Sequence, residues 1–197
     1  MHGYHGTTQE RASNILKNEK FDINYFEIKP DAIIPKGQRL ANDLGNGVYI
    51  FFHDEKENCY DALNNTKKYT NEFKNHKTQS IIKIVIRDLK TDNIIDFNIW
   101  ENQQKFIKFR EKLFSRLINN LKISNLKDDG SKKRNNIDGI FLEYMLRYAY
   151  KINIDMIIKD SFTSFYGEER YISNFPNGRE ACIRNVDIID WKQTKAV

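Results

Sequence analysis

The feature that most constrains this chain is how its apolar residues are parcelled out. They fall into short runs of strand length, separated by segments of unequal size. The strongest is Ile81-Ile82-Lys83-Ile84-Val85-Ile86-Arg87, whose β-branched residues suit a pleated surface. Val48-Tyr49-Ile50-Phe51-Phe52 is a second compact strand. The residues up to His5 read as a short strand at the start of the fold, and residues 93–97 as another. Met156-Ile157-Ile158, Ala181-Cys182-Ile183 and Val186-Asp187-Ile188-Ile189 complete the set. Helical patterns lie between them. Ala12, Ile15 and Leu16 predict a helix over 8–18, with Thr7 or Thr8 as its cap. Cys59, Ala62, Leu63, Thr66, Tyr69 and Phe73 mark one face of a second helix. Phe106, Phe114 and Leu121 belong to the clearest 3.6-residue pattern, and a further helix is expected over about 137–150. Strands and helices do not alternate regularly. That predicts an α+β chain and argues against a doubly wound parallel sheet.

A chain of 197 residues supports one good core, so 1–197 reads as a single domain with a helical insertion at about 100–150. With 13 Phe and 10 Tyr it can bury enough surface to offset its ordering entropy, which excludes wholesale disorder. Two cysteines, Cys59 and Cys182, build neither a disulfide framework nor a paired-cysteine zinc site. His2, His53 and His76 lack metal-ligand spacing, so no metal is expected and these three read as structural. Cys182 reads as a small buried hydrophobe. The start Met-His-Gly-Tyr-His lacks a basic region followed by an apolar one, and no apolar run approaches the roughly 20 residues that cross a bilayer. A cytoplasmic protein without membrane contact is the expectation. A net charge of +5 permits nucleic-acid contact without demanding it.

Several common sites are absent. There is no phosphate-loop motif, no H-E-x-x-H and no G-x-S-x-G. Gly45-Asn46-Gly47 begins like a dinucleotide fingerprint but precedes a strand, where that fingerprint must follow one. Three spaced features remain. Tyr4-His5-Gly6-Thr7 ends a short strand before a helix. Leu44-Gly45-Asn46-Gly47-Val48-Tyr49-Ile50-Phe51 leads into a strand. Arg179-Glu180-Ala181-Cys182-Ile183-Arg184-Asn185 opens a late one. Taken singly, His5 is a polar strand residue, Tyr49 a core aromatic and Glu180 a solvated strand start. Taken in this order and context, they resemble the signatures of the His-Tyr-Glu class of ADP-ribosyltransferases, the group of diphtheria-toxin-like enzymes and poly(ADP-ribose) polymerases. The resemblance spans His5 to Glu180. Asp138-Gly139-Ile140 and Met156-Ile157-Ile158 look like connecting elements of bacterial relatives.

The resemblance implies a split β-sheet core, two packed and mainly antiparallel sheets around a cleft with flanking helices. It implies NAD as co-substrate. His5 would hold the adenosine ribose, and the backbone N–H and C=O of Gly6 would hold the nicotinamide amide. Thr7 would add a ribose contact and also cap the first helix. Tyr49 would stack on the cationic nicotinamide ring, a contact worth about 0.5–2 kcal/mol. Gly45 and Gly47 would let the backbone pass close to the ligand. Glu180 would be catalytic: a carboxylate on the ribose 2′-OH stabilises the oxocarbenium character that develops as the nicotinamide bond breaks. The leaving group is already cationic, so no general acid is needed.

The implied product is ADP-ribose on a macromolecular acceptor, RNA, DNA or protein. The implied setting is a toxin–antitoxin or phage-defence system, with a possible antitoxin partner. Gly178 stands where the arginine- and asparagine-modifying toxins of the Arg-Ser-Glu class carry Gln or Glu, which argues against that class. The loop at about 162–178, with Phe162, Phe165, Tyr166, Tyr171, Phe175, Arg170 and neighbouring Arg179, is the acceptor-side candidate. Lys132-Lys133-Arg134 adds a basic patch, most simply a solvated loop, and Arg184 is a candidate partner for an acid or a phosphate. Two alternatives stand beside this reading: an NAD-dependent RNA 2′-phosphotransferase, and a non-catalytic nucleic-acid- or protein-binding module on the same fold.

Overall fold

The strongest β-branched runs find strand partners, and the pairings join into one sheet. The computed structural model describes residues 1–23, 40–53, 60–73, 79–87, 93–121, 137–163 and 173–197. Its strands are β1 (His2–Thr8), β2 (Val48–His53), β3 (Gln79–Val85), β4 (Ile94–Asp96), β5 (Met156–Ser161), β6 (Gly178–Ile183) and β7 (Lys195–Ala196). They lie in the order β4-β5-β6-β2-β1-β3-β7, antiparallel except for the parallel pair β4–β5. The helices are α1 (Gln9–Asn18), α2 (Ala62–Phe73), α3 (Trp100–Leu121) and α4 (Asp138–Tyr144), the last continuing as a π-helical turn over Met145–Tyr150.

The mixed, mainly antiparallel architecture agrees with the sequence. The expectation of two packed sheets does not, and β2 is the reason. It pairs on both edges, with β1 at Tyr4↔Phe51 and beyond and with β6 from Val48↔Ile183 to Phe51↔Glu180. The two halves are therefore joined through one strand. A second correction concerns Val186-Asp187-Ile188, which forms a 3-10 turn. Asn185 caps it by accepting from the Asp187 N–H at 3.0 Å, a local bond that competes with strand pairing. Of that run only Ile189 pairs, in a bridge to Ile86. A third concerns the first helix. Strand β1 runs on to Thr8 because β3 supplies a partner as far as Gln79. Thr8, not Thr7, then caps α1, its hydroxyl accepting from the Arg11 N–H at 3.3 Å. Thr7 stays in the strand and is buried.

Strand alternation sends side chains to two faces, each covered. On the first face Val48, Ile50, Phe52, Ile82, Ile84, Met156, Ile158, Ala181 and Ile183 pack beneath α1 and the C-terminal Ile188 and Ile189. On the second face, Ile157 and Cys182 pack against Leu44, Leu142, Met145 and Leu146, with Tyr49 and Phe106 alongside. Helix α2 also lies on this second face, over β1 and β2. Thr66 Oγ1 donates to the Tyr4 carbonyl at 3.4 Å, and the Phe51 and Tyr69 rings meet edge-on at 6.0 Å. No helix among the described residues is long and apolar enough to cross a membrane.

Candidate active site

The site follows from where one ladder stops. β1 and β3 pair along the full strand, from His2↔Val85 to Thr8↔Gln79. β1 and β2 pair only from His2↔His53 to Tyr4↔Phe51. Past Tyr4, the strands that carry His5 and Tyr49 part.

Hydrogen-bond alternation says which groups line the opening. The Ile86 N–H donates to the Met1 carbonyl at 2.9 Å, so Met1, Gly3, His5 and Thr7 turn their backbone groups toward β3. Those of Gly6 then point the other way, toward β2 and past the last β1–β2 pair. On the far side, the Arg184 N–H donates to the Asp155 carbonyl at 2.8 Å. By the same alternation Glu180 and Cys182 turn their backbone toward β5, Val48 and Ile50 bond to β6, and Tyr49 turns its backbone toward β1. The peptide groups of Gly6 and Tyr49 thus face the same gap.

His5 spans that gap with its side chain. It is paired with Ile82 and so lies on the first face, opposite to Tyr49; its ring meets Phe21 edge-on at 5.4 Å. Because the ladder has ended, its Nδ1 reaches through to the Tyr49 carbonyl at 2.8 Å. A carbonyl only accepts, so Nδ1 carries the proton.

Tyr49 and Glu180 share the second face. Tyr49 pairs with Cys182 and Phe51 with Glu180, which makes Glu180 a diagonal neighbour of Tyr49. The Tyr49 hydroxyl is engaged below the site. It accepts from the Leu44 N–H at 2.6 Å and donates to the Gly45 carbonyl at 3.0 Å. Burial, with added pressure from Cys182, Asp43 and Glu180, pushes this phenol well above its ordinary 10.0, while the Leu44 N–H pulls the other way. The half-buried ring remains as a surface; the hydroxyl is an anchor. Glu180 is half-buried, and its Oε1 accepts from Thr163 Oγ1 at 3.1 Å.

The remaining sequence candidates have structural duties. A Cβ on Gly6 would collide with Thr70 Oγ1, so Gly6 is needed where α2 lies on β1. A Cβ on Gly47 would meet the Ile183 carbonyl and Cys182 Sγ, so Gly47 serves the approach to β6. Gly45 adopts φ +87, a conformation that glycine takes readily. A Cβ on Gly178 would sit 3.0 Å from Asn65 Nδ2 and 3.2 Å from the Phe51 ring, a tight fit that these side chains would have to ease by a few tenths of an ångström. Arg179 alternates to the first face and forms a two-point pair with Asp160, its Nε at 2.6 Å and Nη2 at 3.2 Å. Phe162 and Phe175 are exposed, Phe175 to 81%. Phe165, Tyr166, Arg170, Tyr171, Lys132, Lys133 and Arg134 lie outside the described residues, as do His76 and Cys59. Cys182 is buried and free, and burial pushes its thiol up to about 12. No group of three or more His, Cys, Asp or Glu suited to a metal occurs among the described residues.

Sequence reasoning missed Glu143. It is 4% exposed and paired with Arg184, whose Nη1 meets Oε1 and whose Nη2 lies 3.0 Å from Oε2. Glu143 Oε1 also accepts from the Asn46 N–H at 2.6 Å, and Oε2 from Arg147 Nε at 3.3 Å. This cluster pins the 44–47 turn that holds the Tyr49 hydroxyl. A signal was present: Glu143 interrupts the apolar run Phe141-Leu142-Glu143-Tyr144-Met145-Leu146, and a charge within such a run needs a buried partner. Asn65, Thr163 and Asn177 were also missed; nothing local marks them.

Comparison of the chain with protein-family models, curated proteins and solved structures returned no match.

Proposed function

We propose that this protein is an NAD-dependent mono-ADP-ribosyltransferase that moves ADP-ribose to a macromolecular acceptor, RNA, DNA or protein, as a toxin or phage-defence effector. One observation carries the reading. The sheet opens between β1 and β2 at His5 and Tyr49, and Glu180 stands one strand away on the Tyr49 face. In that opening Gly6 offers an N–H donor and a C=O acceptor side by side, the complement of a primary carboxamide. The Tyr49 ring supplies a flat face for the cationic pyridinium. Glu180 supplies the negative charge that stabilises C1′ of the ribose as the glycosidic electron pair departs with nicotinamide. The acceptor nucleophile then bonds to C1′ and gives up its proton, for which Glu180 is the nearby base.

Gly178, two positions before Glu180, offers no carboxylate or amide side chain, which fits an acceptor chemistry unlike that of the Arg-Ser-Glu toxins. The phosphotransferase alternative has less support, because Arg179 and Arg184, the two arginines nearest Glu180 in sequence, are engaged by Asp160 and Glu143. The test is incubation with labelled NAD and cell lysate, with label followed separately into protein, RNA and DNA. Nicotinamide release and labelling of one fraction are expected. Glu180→Ala should abolish both while NAD binding is largely kept, since the carboxylate acts mainly in the transition state. NAD-independent nucleic-acid or protein binding without release would favour the binding-module reading.

A further inference from the structure

We propose that Thr163 is a positioning residue for Glu180, its hydroxyl fixing one carboxylate oxygen so that the group stays ionised and held in one orientation. The inference rests on the catalytic reading of Glu180 given above.

Thr163 Oγ1 donates to Glu180 Oε1 at 3.1 Å. A donor two residues past the end of β5 would ordinarily wander, and this one is clasped. The Thr163 N–H donates to Asn177 Oδ1 at 2.9 Å, and Asn177 Nδ2 donates back to the Thr163 carbonyl at 2.8 Å. One planar amide thus holds both backbone groups of Thr163. Asn177 is itself held twice. Its N–H donates to the Ser161 carbonyl at 2.9 Å, and its carbonyl accepts from Asn65 Nδ2 of α2 at 2.9 Å. A chain of hydrogen bonds therefore runs from the helix above β1 through Asn65, Asn177 and Thr163 to the carboxylate.

Two physical consequences follow. A hydroxyl donated to a carboxylate favours the charged form; Lys159, paired with Glu180 across β5 and β6, acts in the same direction in wild type and variants alike, and the Tyr49 phenol faces the carboxylate from β2. The terminal torsion of Glu is broad and roughly two-fold, so a fixed donor on Oε1 selects one orientation of the plane. The β-branch of threonine adds a stiff χ1, which a serine lacks. Because the clasp uses only backbone atoms of Thr163, changing the side chain leaves it in place.

The test uses the full chain as wild type, Thr163→Val, Thr163→Ser and Glu180→Ala. NAD-dependent nicotinamide release is followed across pH, together with titration of the isotope-labelled Glu180 carboxyl. Thr163→Val should lower kcat between about 10- and 100-fold with KM for NAD within about two-fold, as expected for a misplaced group. It should also move the acidic limb of the kcat profile and the Glu180 titration to higher pH. Thr163→Ser should recover most of both. Unchanged kcat and titration in Thr163→Val overturn the proposal. So does a loss of kcat with a matching rise in KM and lower thermal stability, the mark of a merely structural role. Failure of the underlying reading looks different: Glu180→Ala then matches wild type in release, or wild type releases nothing. In either case the role assigned to Thr163 in catalysis falls with it. A Glu180 titration that still shifts in Thr163→Val then locates the fault in the reading of Glu180 and not in the hydroxyl–carboxylate contact.

Discussion

Cys182 shows at the scale of one residue how the sheet sets chemistry. It sits beside Tyr49 as its cross-strand partner, wholly buried, and its thiol is pushed up to about 12, by burial before any other cause. In the unfolded chain the same thiol ionises near 9.0. Below that value both states hold the proton and the native state keeps its full stability. Above it the unfolded chain releases a proton that the native one retains, so stability falls as pH rises from about 9 toward about 12. Thermal unfolding of the wild type should therefore drop more between pH 9 and 11 than that of Cys182→Ala. Equal slopes would mean that the thiol is not shielded in the native state. Its burial was legible from the sequence, since an unpaired Cys in an apolar strand is usually core. The duty of Gly6 was not. Its need for a missing side chain comes from Thr70, 64 positions away and visible only once α2 is laid on β1.

At the scale of elements, the strands rich in β-branched residues were legible: those over 48–52, 156–158 and 181–183 formed, and that expected over 81–87 formed as Gln79–Val85, with Ile86 only in a bridge to Ile189. What escaped depended on partners remote in sequence. β7 is two residues long and exists because Lys83 and Ile82 offer an open edge. Whether one sheet or two formed turned on β2 pairing at both edges, which no local pattern encodes. The link between α4 and the turn before β2 belongs to the same class. Glu143 and Arg184 are both largely buried and lie 41 residues apart. Removing Glu143 takes the two-point partner from the largely buried Arg184, and removing Arg184 leaves Glu143 with the longer Arg147 contact at 3.3 Å. Glu143→Ala and Arg184→Met should each cost about 3–5 kcal/mol in urea unfolding. The double variant should cost clearly less than the sum, because neither of the two largely buried charges remains; Arg147, more exposed, is left to solvent. Simple additivity would show that the two groups do not act as a unit. On the proposed NAD reading, Glu143→Ala should also raise KM for NAD, since the Asn46 N–H loses its acceptor and the turn that holds the Tyr49 hydroxyl loosens.

At the scale of the whole molecule, one sheet does two jobs that pull in opposite directions. Its strands from β4 to β7 are joined in one sheet, and the central strands carry packed side chains on both faces, so its centre should open only with global unfolding. Between His5 and Tyr49 it is parted, which exposes peptide groups that a closed ladder would consume. Native-state hydrogen exchange separates these demands along a single strand. The backbone of His5 faces β3 and is paired with Ile82, so its amide should exchange at a rate set by global unfolding. The amide of Gly6, the next residue, faces β2 beyond the last β1–β2 pair and should exchange orders of magnitude faster. Ile50 and Ala181, facing each other in the β2–β6 ladder, should be as slow as His5. Saturating NAD should slow Gly6 selectively, because the proposed carboxamide contact occupies its N–H, and should leave His5 unchanged apart from the general gain that any ligand of the native state brings. Slow exchange at Gly6 without NAD would mean that the ladder closes past Tyr4 in solution. Fast exchange at Gly6 that NAD does not alter would leave the opening in place but remove the carboxamide from it.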